Sequence, residues 1–303
     1  MRYSFLATSG LIAAVSGHGL VTSIQGANGV TMPGLSVADG TPRDCSSNGC
    51  GSQADTSIIR DNEITSGKAS ALGRTQGNGV VDAAVMVQNF MGGAAAPTNN
   101  GSSASVGQED QIPANIGRRG NSFVRGLGDL LSGLTGGLTG KSGGTKSETA
   151  QETSVAATAG KGAASGLPTS ADDGSITMTF RQINQDGAGP MEAAVDGTSG
   201  GTQDAAFQNA EVTQDVPGLG LGGLSLATNT DFPLTVQMPA GMTCDATVGG
   251  ANNVCVVRVR NQAPAGPFGG SAAFTQSPAA RKRALNYRMK MKKRQDEQNR
   301  RLR

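Results

Sequence analysis

Residues 94–170 set the limits on what this chain can fold into. The stretch is dominated by Gly, Ser, Thr and Ala, as in GLTGGLTGKSGGTKSETAQETSVAATAGKGAASG. Such a segment cannot bury enough apolar side chain to offset the entropy of ordering it. It reads as a low-complexity, mostly disordered insertion. Within it, Phe123 to Leu138 carries Leu127, Leu130, Leu131, Leu134 and Leu138 at helical spacing, but glycines interrupt the pattern; a flexible linker is the first reading and a transient partner-binding helix the second. The ordered parts are then 18–93 and 171–280, expected to build one core together.

The second block carries the clearest strand signals. In SITMTFRQI, Ile176, Met178 and Phe180 alternate with Ser175, Thr177 and Thr179, the period-two pattern of a half-buried strand. FPLTVQMP puts Leu234, Val236 and Met238 on one face, and NVCVVRVRN puts Cys255, Val257 and Val259 inward with Arg258 and Arg260 outward. In the first block a short strand is expected around Val21 to Gln25, then a disulfide loop, then a helical turn or two over Val80 to Phe90. Short strands, many turns and little helix predict a mainly β fold, an antiparallel immunoglobulin-like β-sandwich with long loops.

The amino terminus reads as an export signal over 1–17. Arg2 gives the positive start, Phe5 to Val15 is apolar but too short to anchor in a bilayer, and Val15-Ser16-Gly17 offers small residues for cleavage. The mature chain would begin at His18, secreted and extracellular, with no later run apolar enough to cross a membrane. In an oxidising compartment the four cysteines pair. Spacing suggests Cys45 with Cys50 and Cys244 with Cys255, with two other connectivities open; a zinc tetrathiolate is disfavoured by the C-x4-C and C-x10-C spacings. Asn100, in NGS, is the one glycosylation sequon.

Composition narrows the chemistry. There is no Trp, and the two Tyr, Tyr3 and Tyr287, fall outside the expected core, which excludes an aromatic sugar-stacking platform. His18 is the single histidine, so no mechanism needing two imidazoles is available and any nucleophilic triad would have to use that residue. The acid pairs Asp172-Asp173 and Glu109-Asp110 read as solvated loop charges, and NQDGAGP (Asn184 to Pro190) as a turn former rather than a phosphate cradle.

Charge is split along the chain. Residues 281–303 hold 11 of the 25 Lys and Arg and 2 of the 23 acids, leaving the remainder acidic. This reads as a basic disordered tail, helical at most in part and without an apolar stripe wide enough to dock, either a solvated extension or an arm for wall polymer or lipid; nucleic acid is not an expected partner of an exported chain. The dibasic pairs Arg118-Arg119, Lys282-Arg283 and Lys293-Arg294 resemble processing sites.

Several blocks together carry a resemblance: HGLVTSIQGANGV at the expected mature start, CGSQADTSIIRDNEI (Cys50 to Ile64), FRQINQDGAGPMEAAVD (Phe180 to Asp196), NAEVTQDVPG (Asn209 to Gly218), DFPLTVQMPAGMTC (Asp231 to Cys244) and VCVVRVRNQAPAGPFGG (Val254 to Gly270). These resemble the Egh-type family of secreted fungal virulence factors, which includes appressorium-associated proteins. The resemblance implies secretion during infection-structure development or host penetration, and no established catalytic reaction. It spans both ordered blocks but neither the insertion nor the tail. The His-Gly start, the expected sandwich and the late VRVRN and AGPFG segments are also distantly similar to the copper lytic polysaccharide monooxygenases, which implies a copper ligand at His18. The second imidazole of that site has no counterpart here, no core Tyr stands at an axial position although a Phe would fill that space without binding, and the carboxylates Asp186 and Asp44 match no ligand motif. The leading expectation is therefore a non-catalytic binding protein with no cofactor, acting at the cell surface or host interface on host or fungal cell-wall components, and the alternative is a copper-dependent monooxygenase of wall polysaccharide, or a merely copper-binding protein, through His18.

Overall fold

The computed structural model describes residues 18–46, 50–95, 97–99, 143–147, 149–220 and 222–302. The export signal, Asn100, Glu109-Asp110, Arg118-Arg119 and the leucine-bearing stretch 123–138 lie outside the described residues.

The chain is mainly β and antiparallel, as the sequence predicts. Its strands are β1 (Gly19–Gln25), β2 (Thr31–Pro33), β3 (Ser57–Ile58), β4 (Arg74–Thr75), β5 (Gly79–Val80), β6 (Thr145–Lys146), β7 (Ser175–Gln182), β8 (Glu192–Asp196), β9 (Phe207–Gln214), β10 (Thr230–Gln237), β11 (Ala246–Val248), β12 (Ala251–Arg260) and β13 (Phe268–Thr275). They pair in the order β2-β1-β7-β10-β9-β8-β12-β13-β3-β4-β5, with β6 on β10 and β11 on β12. One hydrogen-bonded path therefore curls around the core, with β9 as the link between its halves. The two sequence blocks interleave: β1 pairs with β7, Gly19 opposite Gln182, and β3 pairs with β13, Ile58 opposite Phe268.

Alternation explains which side of each strand is inside. Along β7, Ile176, Met178 and Phe180 are buried, and along β10 so are Phe232, Leu234 and Val236. In β12, Cys255, Val257 and Val259 are buried as expected, but Val254 and Val256 are too. Both faces of that half of the strand are covered: after the short helix α1 (Asp61–Thr65) comes helix α2 (Ala83–Met91), packed against β11, β12 and β13. The helix is started by Asp82, whose carboxylate accepts from the Ala84 amide at 2.8 Å, and stopped by Gly92 at φ +89°. Its buried apolar residues Ala83, Met86, Val87 and Phe90 follow the i, i+3, i+4, i+7 spacing.

Two segments expected to be disordered carry regular structure. The end of the insertion forms β6 and two short helices, α3 (Ser154–Thr158) and α4 (Gly162–Ser165). Order comes from partners the segment does not itself contain. Backbone bonds with Gly40, Thr41 and Arg43 hold Ala150 and Glu152, and the Asp39 carboxylate accepts from the amides of Val155 and Ala156, at 3.0 and 2.7 Å. The tail is helix α5 (Pro278–Arg301). Ser277 caps it, Pro278 opens it, and Ala, Leu, Met, Arg, Lys and Gln are strong helix formers. Its buried residues are Ala280 and Ala284.

Asp196 closes the turn after β8. It is fully buried and accepts from the amides of Thr198, Ser199 and Gly201, at 2.8, 2.9 and 2.7 Å, and from the Ser199 hydroxyl. Burial pushes its pKa up, but these hydrogen bonds outweigh that and hold it below the ordinary value. The stability this contributes is present above the unfolded carboxylate's pKa of about 3.9 and is lost as pH falls through the lower folded value. Thermal melts from about pH 7 to pH 2 are expected to show a decline below about pH 4 that is smaller in Asp196→Asn, a variant already less stable at neutral pH. An equal acid decline in both proteins would show that Asp196 is not the titrating group.

Candidate functional site

His18 stands immediately before β1 and is fully buried. Its carbonyl accepts from the Ile183 amide at 2.9 Å, and its backbone nitrogen donates to Asn184 Oδ1. The imidazole lies against Phe268, ring centroids 4.4 Å apart and planes tilted by 33°. The turn carrying Asn184, Gln185 and Asp186 closes on this backbone at Gly187, where an added Cβ would fall 2.2 Å from the His18 carbonyl oxygen. Only glycine fits that approach. NQDGAGP is therefore a loop shaped around His18, as its turn-forming composition predicts.

Asn261 ties this loop to the next. Its side-chain amide donates to the carbonyls of Asp186 and Ala188, at 2.8 and 3.2 Å. Its oxygen accepts from the amides of Ala263 and Phe268, at 3.1 and 3.0 Å. The N of the VRVRN segment is thus a fully engaged clamp, a role strand periodicity does not reveal. Gln182 does similar work on the other side, donating to the carbonyls of Asn184 and Ala227 and accepting from the Ser225 hydroxyl.

Over these clamps lies the loop 216–229. Ser225 donates its amide to Gln185, the Ala188 amide reaches the Gly223 carbonyl at 2.8 Å, and Leu219 is closed onto Leu224 at 2.7 Å. Leu219, Leu224 and Leu226 are 57, 39 and 50% exposed. Sequence reasoning passed over them; the available signal was a run of leucines separated by glycines, PGLGLGGLSL, with no strand period by which to bury them.

The candidate metal residues are not brought into one set. Asp186 is 3% exposed in the loop against His18, whereas Asp44 is exposed ahead of Cys45. Among the described residues no three His, Cys, Asp or Glu side chains gather where they could hold one metal ion. The donors around His18 do not fit a three-nitrogen copper centre: its backbone nitrogen is engaged by Asn184, and Phe268 covers a face of its ring. Asp172 and Asp173 are exposed loop residues. The cysteines pair as Cys45–Cys50 and Cys244–Cys255.

A second polar cluster holds the stem of the insertion. Arg43 is 1% exposed. It donates through Nη1 to Asp55 Oδ1 at 2.9 Å, through Nη2 to Asp55 Oδ2, and through Nε to Glu152 Oε2 at 3.0 Å. Burial opposes the charge, but Asp55 and Glu152 hold the guanidinium above its ordinary pKa. Glu152 is held below the usual carboxylate range despite its own burial, chiefly by Arg43 and Ser154. This is an ionic joint, far from the His18 loop in sequence, and nothing in its composition marks it as reactive.

The fold and this end of it define a disulfide-stapled antiparallel β protein with a buried histidine beneath an exposed leucine loop. The chain belongs to the Egh16-like virulence factor family, whose model matches residues 16–269. It is 52% identical over 291 residues to the appressoria-specific virulence factor GAS2 of Pyricularia oryzae, an alignment covering 95% of this chain and 94% of the relative. It is 42% identical over 125 residues to the appressoria-specific virulence factor GAS1 of the same fungus, covering 40% of this chain and 48% of the relative. No solved structure matches the chain. The distant similarity to copper monooxygenases gains no support from these matches.

Proposed function

We propose that this virulence-associated protein acts outside the cell, at the fungal surface or the host interface, and works by binding a host or wall component rather than by catalysis. Its family, and the name of the relative that matches nearly its whole length, support a role in infection. Two disulfides fit an oxidising, extracellular setting, and no helix among the described residues is long and apolar enough to cross a membrane.

The observation that carries the reading is the leucine loop. Exposed leucines scattered singly need no explanation, but three on one loop form the kind of surface that contacts a partner. The loop is held from beneath by Gln182, Gln185 and Ala188, so its side chains are presented without a large ordering cost on binding.

The test replaces Leu219, Leu224 and Leu226 together by serine. The variant is expected to be exported and to melt as the parent does, because none of the three is buried. It should nevertheless fail to sediment with isolated fungal or host walls at salt high enough to screen charge-based retention, and fail to restore penetration to a strain lacking the protein. Full restoration by the triple variant would remove this surface from the function.

A further inference from the structure

Helix α5 leaves the opposite end of the β fold from His18. Gly19 and Gln182 mark one end of the β1–β7 pair, whereas the cleft under α5 is bordered by Asp173 and Gly174, just before β7, and by Met238 to Met242, after β10. The first turns are fastened there: Arg281 donates to the Cys244 carbonyl at 2.8 Å and pairs with Asp245 at 2.9 Å. The helix has 24 residues, a rod about 36 Å long. From Leu285 onward every residue described is exposed.

The rod carries ten Lys and Arg against Asp296 and Glu297. Lys290, Lys292, Lys293 and Arg294 have no ion-pair partner among the described residues. At about 100° per residue Lys290, Lys293 and Arg294 share one arc of the helix, and Lys292 lies apart from them, beside the groove against the body. The one apolar stripe, Ala280, Ala284, Tyr287 and Met291, runs along the side facing the body, where Tyr287 and Met291 border a groove with Gln208 and Ala240 to Met242.

That distribution decides between partners. A helix lying in a lipid surface needs a continuous apolar face for the bilayer. Here the apolar stripe is turned to the protein, and Leu285 and Met289 stand outward among cations. A rod whose cations cover the side turned away from the body is suited instead to an extended, flexible polyanion laid along it, bound by release of counterions. In the extracellular setting that the two disulfides fit, the carboxylated polysaccharides of cell walls supply that chemistry. The geometry points to α5 as a binding arm for an acidic, carboxylate-bearing polysaccharide, a role separate from the leucine loop.

The experiment uses the secreted chain and a variant with Lys290→Gln, Lys292→Gln, Lys293→Gln and Arg294→Gln, on immobilised polygalacturonate, with neutral cellulose, anionic phospholipid vesicles and duplex DNA as comparison supports. Helix content by circular dichroism should be the same for both proteins. The parent is expected to bind polygalacturonate in preference to the other three, and the variant to bind it at least about tenfold more weakly at low salt. A plot of log affinity against log salt should be shallower in the variant by about 3. Unchanged affinity in the variant overturns the proposal, as does equal binding to cellulose or tighter binding to vesicles or DNA.

Discussion

Arg43→Ala is expected to lower stability by about 3–5 kcal/mol, the cost of breaking a buried ion pair from one side. The side chains of Arg43 and Asp55 are each 1% exposed and that of Glu152 is 12%. Removing the guanidinium leaves two carboxylates without their counterion. Asp55 keeps only the Ala38 amide at 3.2 Å among its hydrogen bonds to the backbone, and Glu152 keeps the amides of Thr153 and Ser154. The loss should also loosen the segment from Ala150 to Val155, which the same joint holds. Arg43→Lys should recover only part of the difference, because an ammonium cannot make the forked contact with Asp55. Replacing all three charged residues by apolar ones of similar volume is expected to be far milder than Arg43→Ala, since buried ion pairs stabilise little relative to well-packed apolar side chains. Denaturant titration of the three variants checks this. A shift below about 1 kcal/mol for Arg43→Ala would show that the carboxylates find water or protons without cost.

Removing the Cys244–Cys255 bridge by Cys244→Ala with Cys255→Ala is expected to cost about 2–5 kcal/mol. The bridge closes 11 residues, for which chain entropy alone gives about 3 kcal/mol. Both cysteines are fully buried in the core, so the smaller alanines also leave unfilled space. The bridge further fixes the loop that receives α5: the Cys244 amide donates to Gln276 at 3.0 Å, and its carbonyl accepts from Arg281. Faster proteolysis at the start of α5 should accompany the lost stability. The Cys45–Cys50 bridge closes five residues in a partly exposed turn, so its removal should cost less. If the two double variants unfold at the same denaturant concentration, burial and contact with the helix add nothing to the second bridge.

The two surfaces proposed for binding sit at opposite ends of the β fold and differ in character. The His18 end presents aliphatic side chains on a pinned loop; the α5 end presents cations on a projecting rod. Substitutions at one end lie far enough from the other that their effects should add.

Much of the fold was legible because its signals are local. Alternation in Ile176, Met178 and Phe180, and in Leu234, Val236 and Met238, depends only on neighbours two residues apart, so the inward face of β7 and β10 could be read directly. The cysteine pairs were favoured by short separations, and the blocks of motif carried the family. The tail reads as a disordered extension, helical at most in part, because it is basic, polar and without a wide apolar stripe, yet its residues are helix formers and Ser277 and Pro278 start a 24-residue helix; charge obscures the backbone preference. The ordered end of the insertion had no such signal, since Asp39 and Arg43 hold it from more than a hundred residues away.

The sequence by itself determined the antiparallel β class, the inward faces of the long strands, the favoured disulfides and the family. Only the tertiary structure decided that His18 lies under Phe268 and Asn184, that Asn261 clamps two loops, that Arg43 is buried between carboxylates, and that three leucines stay outside. The physical reason is that strand and helix preferences follow from covalent neighbours, whereas burying a charge or an amide is tolerable only where partners converge from elsewhere in the chain.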